Sequence, residues 1–142
     1  MAEDNGRVFV DANFFVALFN PKDSLHKEAI RISRKLKKYK KELVVSNFIF
    51  LEVVTVVSQK MCKRAALVLG KELLAGKVEI IHVTEKLNRL SWDIFKKVAD
   101  KDVSFVDCSV LAIMKEEEIK ELLTFDKKLK GIAERKFQAY TS

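Results

Sequence analysis

Apolar and polar positions divide the chain into short, solidly apolar runs that alternate with longer amphipathic segments. The first apolar run covers residues 7–10, and similar runs cover 42–46, 78–83 and 121–125. Between them, apolar residues recur at helical spacing. Strands that are apolar at nearly every position are typical of a parallel sheet covered on both faces. The pattern therefore predicts an α/β fold.

The amphipathic segments between these runs predict the helices, and a last strand is expected near 137–140. The predicted helices cover about 13–19, 24–39, a segment starting near Asn47, 62–75, 85–98, 104–118 and 127–133. Because strand and helix alternate throughout, we expect a three-layer α/β/α sandwich with about five parallel strands, in one domain spanning 1–142. Ligands of such sheets bind at the edge where the carboxyl ends of the strands meet.

Four acidic residues interrupt or end the apolar runs: Asp11, Glu52, Asp107 and Asp126. A carboxylate among apolar neighbours loses solvation and stays ionised only beside a cation or a hydrogen-bond donor. Each aspartate also has a simpler explanation, since each stands where a helix cap is expected. Glu52 lies inside an apolar helix, where we expect little solvent; the alternative is a partly exposed side chain beside Thr55.

Carboxylates without histidine or cysteine ligands favour Mg²⁺ or Mn²⁺ over zinc. His26 and His82 form no H-E-x-x-H motif, and we expect them to be ordinary surface or structural residues. Cys62 and Cys108 are far apart in sequence and are predicted to be reduced core residues. Several converging carboxylates repel one another, and one or two divalent ions would relieve that repulsion and also bind a substrate phosphate.

The acidic segments resemble those of the PIN domain family, and the resemblance covers essentially the whole chain. The segments concerned are Val8–Asn13, the helix with Glu52, Ser104–Ser109 and Leu123–Asp126. The length of the chain resembles the VapC-type toxins of toxin–antitoxin pairs and their archaeal relatives. The resemblance implies a Mg²⁺- or Mn²⁺-dependent ribonuclease that hydrolyses RNA through metal-activated water, leaving 5′-phosphate and 3′-hydroxyl ends.

Together with the ligand chemistry, the resemblance implies that all four acids bind one or two metal ions. Asp11 and Asp107 are expected to be direct ligands, and the other two acids to act directly or through water. Asn13 and Ser104 would hydrogen-bond a carboxylate or a bound water. Their alternative role is helix capping.

The charge balance favours a polyanionic partner. The chain has 27 basic and 20 acidic residues, which gives a net charge of +7. The densest basic segment spans 31–41, and we identify Arg34, Lys35, Lys37 and Lys38 as candidate RNA contacts. Such a run is more often a solvated helix face. The apolar runs carry too many polar residues for a membrane span, and we expect a cytoplasmic protein.

Other functions remain open from the sequence. One is a non-catalytic PIN-like module that binds RNA or protein, and another is a nuclease that processes rRNA or tRNA. A phosphatase with an aspartate nucleophile would usually have D-x-D after the first strand, and here the third position is Asn13. The expected partners are RNA, a cognate antitoxin if the chain is a toxin, and a second copy in a homodimer.

Overall fold

The computed structural model describes residues 6–137 and 140–141, with side chains described from residue 6 to residue 135. The strands are β1 (Arg7–Val10), β2 (Glu42–Ser46), β3 (Glu79–Ile81), β4 (Glu121–Leu123) and β5 (Tyr140–Thr141). The helices are α1 (Ala12–Phe19), α2 (His26–Lys38), α3 (Asn47–Lys60), α4 (Lys63–Leu74), α5 (Glu85–Lys97), α6 (Phe105–Glu116) and α7 (Lys127–Phe137).

The five strands form one sheet in the order β3-β2-β1-β4-β5, and every neighbouring pair is parallel. The predicted α/β fold with a parallel sheet is thereby confirmed. The differences are at the ends of elements: α7 runs four residues beyond the predicted Ala133, and β3 is shorter than predicted. Part of the predicted last strand, residues 138 and 139, lies outside the described residues.

The helices cover both faces of the sheet. Right-handed crossovers from β1 to β2 and from β2 to β3 place α1 to α4 on one face. The connections from β3 to β4 and from β4 to β5 cross the sheet in the opposite direction, so they place α5 to α7 on the other face. The observed packing agrees, since α1 contacts α2 and α3, and α3 contacts α4, whereas α5 and α7 each contact α6. Three layers result, with the apolar strands in the middle.

Helix starts are fixed by polar side chains next to the strands. Ser46 caps α3 by accepting a hydrogen bond from the Ile49 amide, and the helix starts at Asn47, as predicted. Asn47 instead accepts from the Val83 amide at 2.8 Å. This bond ties the end of β2 to the segment after β3. Asn47 is free to make it because Ser46 already satisfies the first turn of the helix.

The two cysteines lie in different environments. Cys108 is buried, as predicted, whereas Cys62 is exposed, so its prediction as a core residue is wrong. Cys62 precedes α4, and its sulfur accepts a hydrogen bond from the Ala65 amide at 3.4 Å. A residue at the helix N-cap has an extended backbone, which here turns the side chain toward solvent.

The core fills both sides of the sheet. β1 is buried at three consecutive positions, Val8, Phe9 and Val10, and α6 has a fully buried run from Val110 to Ile113. The apolar strand pattern predicted this burial. No helix in the described part of the chain is long and apolar enough to cross a membrane.

We expect that Leu111→Ala lowers the free energy of unfolding by about 2–5 kcal/mol, because the side chain is completely buried. Leu67→Ala is a matched control, since Leu67 is also a helical leucine but is 62% exposed. Its expected change lies within about 0.5 kcal/mol. Urea unfolding of both variants measures the difference, and equal losses would contradict the assignment of α6 to the core.

Candidate functional site

The site lies at the carboxyl ends of β1 and β4, the two strands after which the chain leaves in opposite directions. The connection after β1 leads toward β2, and the connection after β4 leads toward β5. A crevice opens at such a point because the two connections diverge. Asp11 directly follows β1, and its amide donates to the carbonyl of Leu123 at the end of β4 at 2.9 Å.

Asp11 is buried, with 6% of its surface exposed, and all its recorded partners are neutral. Its Oδ1 accepts from the Ala12 amide at 2.8 Å, which makes Asp11 the N-cap of α1. Its Oδ2 accepts from the Thr124 hydroxyl at 2.7 Å and from the Asn13 amide nitrogen at 3.4 Å. These donors hold both oxygens of the carboxylate in place.

Thr124 is the residue that sequence reasoning missed. Its buried hydroxyl donates to Asp11 and accepts from the Asn13 side chain at 3.2 Å and from the Asp126 amide at 3.0 Å. Asn13 also accepts from the Phe125 amide at 3.1 Å. In the sequence, Thr124 could have been noticed as a hydroxyl residue two positions before Asp126, at the end of a predicted strand. That its hydroxyl contacts Asp11 follows only from the pairing of β1 with β4.

Asp107 and Asp126 both cap helices. Ser104 and Asp107 form the predicted capping box, with the Ser104 amide donating to Asp107 Oδ2 and the Asp107 amide donating to Ser104 Oγ, each at 3.0 Å. Asp126 Oδ1 accepts from the amides of Lys128 and Leu129 at 2.9 and 3.3 Å. In each aspartate the other oxygen accepts no hydrogen bond from a described residue and is available to a ligand.

Glu52 is in an environment that differs from the prediction. The residue is exposed, whereas its apolar neighbours in sequence predicted little solvent around it. The reason is that α3 buries only Ile49, Val53 and Val57, while Leu51 is 64% exposed. Glu52 makes no hydrogen bond or ion pair with a described residue, yet its carboxylate lies close enough to Asp107 and Asp11 to repel both.

The four carboxylates form one electrostatic group. The pKa of Asp11 is raised to about 6, chiefly by burial and to a smaller extent by the charges of Asp107 and Glu52. The hydrogen bonds from Thr124 and Ala12 act in the opposite direction. Although Glu52 is exposed as a residue, partial loss of solvent around its carboxyl group, and then the charge of Asp107, raise its pKa. Burial also raises the pKa of Asp107, with the charge of Asp126 adding to it despite the hydrogen bonds from Ser104.

No lysine, arginine or histidine side chain in the described part of the chain offsets this repulsion by an ion pair. The ion pairs among described residues include none of the four acids. In the part of the chain that the structure describes, no three acidic, histidine or cysteine side chains are arranged so that they could hold a metal ion as they stand. A divalent ion would therefore have to draw the carboxylates inward or complete its coordination with water.

An ion cluster beside the acids joins the segment before α6 to the start of α7. The Lys128 ammonium contacts Asp100 at 3.1 Å and Asp102 at 2.7 Å. The segment with Asp100 and Asp102 leads into the helix of Asp107, and Lys128 follows Asp126 by two residues. The cluster thus links the chain segments that carry two of the four acids.

The predicted RNA contacts are elsewhere. Arg34, Lys35, Lys37 and Lys38 are exposed on α2, as a solvated face would be. That helix ends next to the amino end of the sheet, where the Lys41 ammonium meets Glu121 at the start of β4 at 3.0 Å. The acids lie at the carboxyl end, about 17 Å away for a strand of five residues. These basic residues could contact only a distant part of an RNA bound at the acids.

Comparison with known proteins gives relatives that match most of the chain. The 23S rRNA-specific endonuclease VapC20 of Mycobacterium tuberculosis is 30% identical over 119 residues, which make up 84% of this chain and 88% of that protein. The crystal structure of VapC20, described as a sarcin–ricin loop cleaving toxin, matches with a TM-score of 0.79 and 28% identity. The match covers 87% of this chain and 93% of that chain.

A more distant structure shares the fold. FitAcB from Neisseria gonorrhoeae matches with a TM-score of 0.67 and 15% identity, covering 94% of this chain and 95% of that one. The PIN domain family matches residues 8–135, which include all four acids. On the family match and on the identity with VapC20, this chain belongs to the PIN domain family.

Proposed function

We propose that this protein is a ribonuclease that depends on Mg²⁺ or Mn²⁺ and cleaves RNA at the four carboxylates. The observation that carries the proposal is the group of mutually repelling carboxylates at the carboxyl edge of the sheet. None of these carboxylates forms an ion pair with a described lysine or arginine. A structural role alone leaves this repulsion unexplained, because neutral caps would serve the helices as well. A divalent ion bound between the carboxylates would attract each of them and so offset their repulsion.

The residues fit such an ion. Their oxygen-only donor set suits Mg²⁺ or Mn²⁺, and Asp11 and Asp107 would hold it, with Glu52 and Asp126 contributing directly or through water. When bound, the ion supplies a water of lowered pKa and neutralises charge on the phosphate. The hydrogen bonds of Thr124 to Asp11 and of Ser104 to Asp107 keep the carboxylates oriented, and Asn13 secures Thr124.

The proposed substrate is ribosomal RNA, and the proposed biological role is that of a toxin. Support comes from VapC20, which is named for cleavage of 23S rRNA and described as a toxin. The net charge of +7 favours a polyanionic substrate. A cytoplasmic location would follow from this substrate and stays a prediction, as does the homodimer.

The proposed protein partner is an antitoxin that covers the groove between α3 and α4. The groove has a volume of about 870 Å³, and its walls are mostly apolar. Two of its leucines, Leu67 and Leu74, are 62% and 65% exposed. Contiguous exposed apolar surface of this kind marks protein-binding sites. None of the four acids lines the groove, so an apolar segment of a partner could occupy it without contacting a side chain of the site from within the groove.

Asp11→Asn and Asp107→Asn should each abolish Mn²⁺-dependent RNA cleavage, with a loss greater than the 10–100-fold that is typical of changes around metal ligands. The measurement is cleavage of an end-labelled RNA, together with Mn²⁺ titration by calorimetry. Asp93→Asn is the matched control, because Asp93 is an exposed aspartate whose only ion pair with a described residue is to Lys96. Normal cleavage by the first two variants would contradict the site.

In EDTA, Asp11→Asn should stabilise the protein at pH 7.5. The pKa of Asp11 is raised from 3.8 to about 6, so the unfolded state ionises first as the pH rises. The contribution of Asp11 to stability is therefore most favourable below pH 3.8 and becomes less favourable up to about pH 6, by roughly 3 kcal/mol in total. Asp11→Asn has no carboxyl group to ionise at this position, so its stability does not decrease for this reason as the pH rises.

Thermal unfolding between pH 4 and 8 measures the effect, and the advantage of the variant should shrink toward pH 4. Saturating Mn²⁺ should stabilise the wild-type protein and not Asp11→Asn, because the ion binds the ionised carboxylate. A variant less stable than wild type at pH 7.5 in EDTA would show that the charge of Asp11 carries no penalty.

Primer extension across ribosomal RNA treated with the protein tests the substrate. We expect one dominant Mn²⁺-dependent stop in the 23S rRNA, absent with Asp11→Asn. Stops confined to precursor segments would favour a processing nuclease, and binding without cleavage would favour the non-catalytic module. Either of these results overturns the proposed toxin role.

A further inference from the structure

Three aromatic side chains form a continuous strip on the surface of α5 and α6: Trp92, Phe95 and Phe105. The Trp92 and Phe95 rings are stacked, with centroids 5.9 Å apart and an interplanar angle of 28°. Phe95 meets Phe105 edge to face at 5.8 Å. Trp92 is 52% exposed and Phe95 is 38% exposed, so the strip is open to solvent. Trp92 is the chain's single tryptophan.

The strip lies at the end of the helix pair that is next to the acids. α5 and α6 run antiparallel, since Lys86 at the start of α5 pairs with Glu116 at the end of α6, while Phe95 meets Phe105 at the opposite end. Phe105 is the first residue of α6, and Asp107 stands two positions later. The aromatic strip therefore begins at the helix terminus that also carries one of the four carboxylates.

The exposed aspartates of residues 92–104 are already in ion pairs with other lysines, so the charges left over near the aromatic strip are positive. Lys97 ends α5, Lys101 follows in the segment before α6, and both are exposed. Neither makes an ion pair with a described residue. A second copy of this chain meeting the strip symmetrically would bring these ammonium groups together, whereas a phosphate backbone would be attracted to them. Charge complementarity thus selects nucleic acid as the occupant.

We propose that the aromatic strip is a stacking platform for unpaired bases of the RNA whose scissile phosphate lies at the four carboxylates. This inference rests on the proposed ribonuclease function. Half-exposed aromatic rings beside a positively charged surface bind single-stranded nucleic acid by stacking, which does not depend on the identity of the base. The platform makes the preferred substrate a loop or single strand near the cleavage site, because paired bases cannot stack on it.

Fluorescence of Trp92 tests the platform directly. Titration in EDTA with a 12-nucleotide RNA of uridine and adenosine should quench the emission of the wild-type protein, and an abasic chain of the same length should bind at least about tenfold more weakly. Trp92→Ala, followed by anisotropy of labelled RNA, should lose about tenfold in affinity for the RNA and little for the abasic chain. Trp92→Phe should recover most of the affinity.

Val68→Ala is the control, since it shortens another exposed apolar side chain, on α4, outside both the aromatic strip and the groove. Circular dichroism melts of all variants establish that they are folded, and sedimentation velocity reports their oligomeric state. Unchanged RNA affinity in Trp92→Ala overturns the platform, as does a wild-type dimer that Trp92→Ala splits without any quenching by RNA.

Failure of the platform and failure of the ribonuclease function give different results. If the platform is wrong but the nuclease is right, Trp92→Ala cleaves RNA in Mn²⁺ with unchanged KM, and Asp11→Asn is inactive. If the nuclease is wrong but the platform is right, RNA quenches Trp92 and no variant or metal gives cleavage. If both are right, Trp92→Ala raises KM about tenfold, with the Mn²⁺ affinity unchanged.

Discussion

Repulsion between carboxylates at the carboxyl edge of the sheet is the interaction that gives this structure its functional meaning. Asp11 is almost fully buried. The charged groups that act on it among the described residues are the acids Asp107 and Glu52, and none of them is a lysine or an arginine. Burying a charge without a counter-charge is costly. The fold tolerates the cost because neutral donors hydrogen-bond to both carboxylate oxygens of Asp11.

The helix starts explain how three aspartates can gather without a cation. Asp11, Asp107 and Asp126 each stand at the first turn of a helix, where backbone N–H groups and the helix dipole favour negative charge. Capping and metal binding are therefore compatible roles for one side chain. The cap uses one oxygen of Asp107 and of Asp126, which fixes the orientation of the other. Of the two explanations that the sequence left open, helix capping is observed for all three aspartates, and metal binding by the same side chains is the proposal made above.

The sequence was sufficient for the layout of the fold and for the helix caps at the three aspartates, because both depend on local patterns. Apolar strands and helix caps are visible in short windows, and a cap box such as Ser104 with Asp107 needs only four residues. The environment of Glu52 was not predictable in this way. α3 is apolar on its core face and also toward the groove beside α4, so an apolar neighbourhood in sequence did not mean burial.

Long-range pairing accounts for the other differences. Thr124 meets Asp11 only because β4 lies beside β1, and the two are 113 positions apart. The basic residues of α2 are far from the acids because the helix runs toward the opposite end of the sheet, which no local charge pattern reveals. The aromatic strip likewise depends on the antiparallel packing of α5 on α6, which brings Phe95 to Phe105.

The titration of Asp11 is the most direct test of this account. Carbon-detected NMR of the side-chain carboxyl group, recorded from pH 3 to 8 without divalent ions, should give a midpoint near pH 6. Saturating Mg²⁺ should move that midpoint below the ordinary value for an aspartate, about 3.9. A midpoint near 3.9 without metal, unchanged when Mg²⁺ is added, would show that Asp11 is neither desolvated nor repelled by the other carboxylates and does not bind the ion.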